Sequence, residues 1–90
     1  MKTLKVKITG TVQGVFFRKF VKGNADKIGV RGYIRNMDDG SLEMVIEGID
    51  EKVNELLDVC KRGPGHSDID EVEVEEIKHQ GLEGFRVSQL

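Results

Sequence analysis

Leu4, Val6 and Ile8 alternate with Lys5, Lys7 and Thr9, a period of two that predicts a half-buried strand over residues 2–9. A short glycine-bearing loop follows, from Gly10 to about Val15. The period then changes. Phe17, Phe20, Val21, Asn24, Ala25 and Ile28 recur at helical spacing, and Gly29 stands where a C-terminal cap belongs. Gly23 inside that helix costs about 1 kcal/mol against alanine, and close packing is the one reason the sequence offers for it. Residues 30–36 and 42–47 read as two strands joined by Met37-Asp38-Asp39-Gly40, a hairpin turn signal. Gly48-Ile49-Asp50 opens a second helix with Asp50 as its N-cap, and Val53, Leu56, Leu57 and Cys60 form its buried stripe. Gly63-Pro64-Gly65 ends it, and the stretch through Ile69 is expected to be loop. Val72 and Val74 begin a fourth strand whose phase slips at Glu76-Ile77, the mark of a bulge or a strand end. Phe85 and Val87 suggest a short final strand.

The element order is βαββαβ plus a short last strand. It predicts an α+β, ferredoxin-like sandwich: an antiparallel sheet with two helices on one face. No repeat, linker or low-complexity segment divides the chain, so residues 1–90 are expected to form a single domain. The plan does not decide function, because many unrelated activities share it.

Charge changes the picture more than composition does. Residues 1–35 carry nine Lys/Arg against one acid, Asp26, a net of +8; residues 36–90 carry five Lys/Arg against fifteen acids, a net of −10. Either the first third offers a positive site to a small anion, or the two parts neutralise each other across the fold. A continuous track for long nucleic acid is disfavoured, because the acidic part would oppose it. One cysteine, Cys60, forms no intramolecular disulfide and falls on the apolar face of the second helix, as a buried structural thiol does. No apolar run reaches membrane-spanning length and the first residues do not read as a signal peptide, so the cytoplasm is the expected location.

The inventory of reactive groups is thin. His66 and His79 are far apart and have no Cys or carboxylate at metal-ligand spacing, so both read as surface residues. Ser41, Ser67 and Ser88 belong to no Ser/His/Asp set, and the acids of residues 70–76 read as a solvated strand face. An enzyme built from this chain would work by binding and electrostatics. One segment suits that. Gly10-Thr11-Val12-Gln13-Gly14-Val15-Phe16-Phe17-Arg18 leads from strand to helix, where backbone N–H groups and the helix dipole can face an anion and Arg18 adds a fork of donors. The alternative is a plain connection whose glycines only permit the turn, with Arg18 on the surface. Asn36, at a strand end before the Asp-Gly turn, fits simple turn chemistry.

Two stretches together carry a resemblance. The run from Ile8 to Arg18 resembles the first signature of the acylphosphatase family at every position that signature fixes. Gly32-Tyr33-Ile34-Arg35-Asn36, followed by Gly40, Leu42 and Gly48, resembles the second. Ile34 and Leu42 depart from it mildly, standing where the family usually has Val or Ala and Val; both stay aliphatic. The likeness covers essentially the whole chain. It implies hydrolysis of the carboxyl–phosphate anhydride bond of small acyl phosphates, giving inorganic phosphate, without cofactor or metal. By resemblance, Arg18 and the N–H groups of Gln13, Gly14, Val15, Phe16 and Phe17 bind the substrate phosphate, and Asn36 positions the attacking water. Two competing readings are a non-catalytic phosphate-recognition domain of the same fold and an RNA-binding sheet. The second needs exposed aromatics on its central strands, where only Tyr33 qualifies. No partner beyond the substrate is expected, neither nucleic acid nor membrane, and nothing suggests an obligate dimer.

Overall fold

In the computed structural model, which describes residues 1–12, 15–65 and 68–88, both periodicities become elements. The chain runs β1 (Lys2–Thr11), α1 (Val15–Ile28), β2 (Arg31–Asn36), β3 (Leu42–Gly48), α2 (Asp50–Arg62), β4 (Asp68–Glu76) and β5 (Phe85–Ser88). The strands form one sheet in the order β4-β1-β3-β2-β5. The β1–β3, β1–β4 and β2–β3 pairs are antiparallel, as the ferredoxin-like plan requires. β5 adds a parallel pair with β2, Gly32 opposite Phe85. The parallel edge follows from the route of the chain: β4 ends at one edge, and residues 77–84 carry it across to the other.

The helices cover one face. Leu4, Val6 and Ile8 of β1, Ile34 of β2 and Leu42, Met44 and Ile46 of β3 are buried beneath Phe17, Val21 and Ala25 of α1 and Val53, Leu56 and Cys60 of α2. Each of the larger of these, Val, Leu, Ile, Phe or Met, contributes about 1.5–3 kcal/mol by leaving water. α1 lies over β2 and β5, and α2 over β1, β3 and β4. Among the described residues no helix is long and apolar enough to cross a membrane.

The open face is a ladder of opposite charges. Lys5 and Lys7 stand opposite Glu75 and Glu73 of β4 in register, and Arg35 stands opposite Glu43. The Arg35 guanidinium donates to Glu43 Oε1 from Nη2 at 2.8 Å and from Nε at 3.1 Å, while Lys7 Nζ lies 3.2 Å from Asp39. Much of the early positive charge is therefore matched by acids from later in the chain.

Glu47 is the one charged residue of this face that is fully buried, among the described residues. The strap of residues 77–84 covers it. Its carboxylate accepts from Thr3 Oγ1 at 2.5 Å, from the Gln80 N–H at 2.6 Å and from the Leu82 N–H at 2.8 Å, and His79 Nδ1 lies 3.3 Å away. Burial pushes this carboxyl up, but those donors and the nearby imidazole outweigh it and hold the group at about 2.

Several boundaries differ from expectation for physical reasons. β1 extends to Thr11 through a register shift between Thr9 and Gly10. Of the two outcomes expected at Glu76-Ile77 the strand end is the one found, and a bulge lies earlier in β4, at Asp70, opposite the Thr9–Gly10 step of β1. A Cβ on Gly10, whose φ is 141°, would overlap the Asp68 carbonyl oxygen, so β1 can continue alongside β4 there only as glycine. β4 begins at Asp68, in what was expected to be loop, because Thr11 and Gly10 pair with Asp68 and Ile69. Asp50 is not the N-cap. Ile49 holds that position without a side-chain bond, and Asp50, already helical, lies 3.3 Å from the Met1 ammonium. Gly29 caps α1 as expected, with φ at 94°.

Gly23 does not serve close packing, since nothing lies within 4 Å of a Cβ placed there. Gly23→Ala is expected to raise stability by about 1 kcal/mol in urea unfolding. Glu47 stabilises the fold where it is ionised in both states. Its contribution is fully present above 4.5, its ordinary value, and is lost as pH falls toward about 2. Glu47→Gln should cost roughly 1–3 kcal/mol near neutral pH, and the gap from wild type should close as the pH of the unfolding experiment is lowered through that window.

Candidate active site

β1 and β2 run in the same direction with β3 between them, so both end at the same edge of the sheet. The register places Asn36 opposite Leu42 and Leu42 opposite Ile8. Asn36 thus stands two strand spacings, about 10 Å, from β1. α1 starts at this same edge and lies over β2. Asn36 alternates with Ile34, which is buried under the helices, so its side chain is on the face that carries α1.

The Asn36 side chain has an unusual feature. Its Oδ1 is buried and has no hydrogen-bond partner, the one such side-chain oxygen among the described residues. An orphaned acceptor of this kind costs about 1–3 kcal/mol. Simple turn chemistry does not account for it, because the turn is satisfied by other groups. Asp39 Oδ1 accepts from the Ser41 N–H at 3.0 Å and from Ser41 Oγ at 2.5 Å, and the Met37 N–H reaches the Ser41 carbonyl at 2.8 Å. The Ser41 hydroxyl and N–H, with Lys7, hold the Asp39 carboxyl at about 2.

The start of α1 is unusual in the same sense. α2 follows the rule for helix dipoles, with Asp50 and Glu51 in its first turn and Lys61 and Arg62 in its last. α1 has no acid in its first turn and carries Arg18 there, half-buried. The leading N–H groups of a helix have no carbonyl a turn back to bond, and they carry partial positive charge. A helix start of this kind, with a cation and no acid in its first turn, suits an anionic ligand. The first turn also exposes two apolar side chains, Val15 at 49% and Phe16 at 84%, while Phe17 turns inward.

The structure thus brings Val15, Phe16, Phe17 and Arg18 to the sheet edge where Asn36 lies. Gln13 and Gly14, expected in the same cradle, lie outside the described residues, as do His66 and Ser67. The other candidates sit elsewhere. Cys60 is buried in the core, its thiol pushed up to about 12 by burial, as inert structural thiols are. His79 is exposed beside Glu47 at the opposite end of the sheet. Among the described residues no three of His, Cys, Asp and Glu gather as a metal site. Sequence reasoning missed Asp39 and Glu47 as structural anchors. The turn signal around Asp39 was legible, but nothing marked Glu47 apart from a charged residue closing an apolar strand.

The family model for acylphosphatases matches residues 4–87. An acylphosphatase of Caldivirga maquilingensis is 45% identical over 91% of this chain and 85% of its own length. One of Methanocella arvoryzae is 40% identical over 97% of this chain and 99% of its own. The crystal structure of acylphosphatase from Bacillus subtilis superimposes with a TM-score of 0.92 at 31% identity, covering 98% of this chain and 99% of the other. The chain belongs to the acylphosphatase family. Its activity is hydrolysis of acyl phosphates, with inorganic phosphate as a product.

Proposed function

We propose that the first turn of α1 and the preceding residues, Gln13 to Arg18, hold the substrate phosphate, and that Asn36 positions the water that attacks phosphorus. The buried Oδ1 of Asn36 carries this reading, because it is an acceptor with no hydrogen-bond partner among the described residues, on the face that carries α1. A water donating one hydrogen to that oxygen would have its lone pair free for phosphorus. Arg18 and the α1 N–H groups would neutralise the phosphate oxygens, to which the guanidinium fork is suited.

In the step itself, the water oxygen bonds to phosphorus, the bond from phosphorus to the bridging oxygen breaks, and the carboxylate leaves with that electron pair. A phosphate oxygen takes the water proton. Carboxylate is a good leaving group, so positioning and charge stabilisation can carry the acceleration without a strong acid, a metal or a cofactor.

On the same reading the chain works as a single domain, residues 1–90, as a monomer in the cytoplasm, on small acyl phosphates and not on nucleic acid. The open sheet face supports the last point. Its basic residues are laddered with acids, and Tyr33 is its lone aromatic among the described residues, which leaves little for base stacking.

Kinetics with inorganic phosphate as competitive inhibitor separate the two roles. Arg18→Ala should lose about a hundredfold or more in kcat, the scale of one removed oxyanion donor. It should lose phosphate inhibition as well, and Arg18→Lys should recover little of either. Asn36→Ala should lose kcat while phosphate still inhibits as in wild type. Equal weakening of phosphate inhibition in the Asn36 variant would remove its assigned role.

A further inference from the structure

Phe16 is the most exposed of the large apolar side chains described, at 84%, and its neighbour Val15 is 49% exposed. An isolated surface Phe calls for no explanation, but the place of this pair does. They are the first two residues of α1. The Cα–Cβ bond of a helical residue tilts toward the N-terminus, and the side chain covers the turn before its own Cα. For Val15 and Phe16 no helical turn precedes, so their side chains overhang the helix end.

An acyl phosphate has two ends, a phosphate and an acyl arm. In-line displacement puts the attacking and leaving oxygens on opposite sides of phosphorus. Asn36 lies on the sheet, below α1, and would bring the water from that side. The acyl arm must then leave phosphorus on the side away from the sheet. Phe17 is turned toward the sheet and is 3% exposed; Phe16, the next residue around the helix, faces solvent. From this geometry we infer that Phe16, with Val15 beside it, is the shelf on which the acyl group of the substrate lies, and that it gives the enzyme a preference for aromatic over short aliphatic acyl phosphates. The inference rests on the phosphate placement proposed above. It adds a specificity-determining side chain where that reading uses only the backbone of Phe16.

The test is the ratio of kcat/KM for benzoyl phosphate to kcat/KM for acetyl phosphate, measured for wild type, Phe16→Ala, Phe16→Tyr and Arg18→Ala. A ratio cancels losses common to both substrates. Phe16→Ala should lower it about three- to tenfold, the size of one aromatic contact, and Phe16→Tyr should keep it. A ratio in Phe16→Ala within about 1.5-fold of wild type overturns the shelf, whereas turnover abolished in Arg18→Ala leaves the phosphate site standing. Turnover and phosphate inhibition undiminished in Arg18→Ala would remove the phosphate site, and the shelf with it.

Discussion

The position of β3 between β1 and β2 is the constraint on which the site depends. It makes β1 and β2 co-directional and sets their ends two strand spacings apart at one sheet edge. α1 must start where β1 stops and lie over β2. The helix N-terminus, with Arg18 in its first turn, and the Asn36 amide therefore converge although they are far apart in sequence. Of the apolar residues that hold this arrangement, Ile34 precedes Asn36 on the same strand, and Leu42 stands opposite both Asn36 and Ile8. Core packing and site geometry are here one set of contacts.

The two ends of the sheet treat polar groups in opposite ways. At the strap end, Glu47 is buried but gathers the Thr3 hydroxyl and two backbone N–H groups, so its charge is satisfied and tightens the crossing to β5. At the α1 end, an acceptor is buried without a partner and a helix start is left without an acid. Local rules are kept where the molecule needs stability and broken where a ligand can complete them.

The sequence made much of this legible. The switch from a period of two to helical spacing after Ile8 and the stripe from Val53 to Cys60 led to the right elements, because burial of one face decides them. Boundaries were less legible where long-range pairing overrides local signals. Asp68 and Ile69 are strand only because β1 continues to Thr11 and meets them beyond the bulge at Asp70, and β5 runs parallel only because the strap crosses the sheet. Asp50 resembled an N-cap, yet its carboxylate meets the chain's own ammonium. The chemistry of Arg18 and Asn36 was ambiguous as local sequence, and the Asn36 side chain gains meaning only from the helix above it. Glu47 had no local signal, since its donors come from residues more than thirty positions later and from Thr3 at the start of the chain.

On the proposed reading, the positive start of α1 is an anion site facing Asn36. Titration of isotope-labelled protein with inorganic phosphate, read through every amide, tests it most directly. Saturable shifts largest at residues 15–18, with the Asn36 side-chain amide moving at the same concentrations, are the predicted result. Shifts centred instead on Arg35 and on Arg86, which stands opposite Tyr33 on β5, with residues 15–18 unmoved, would contradict it.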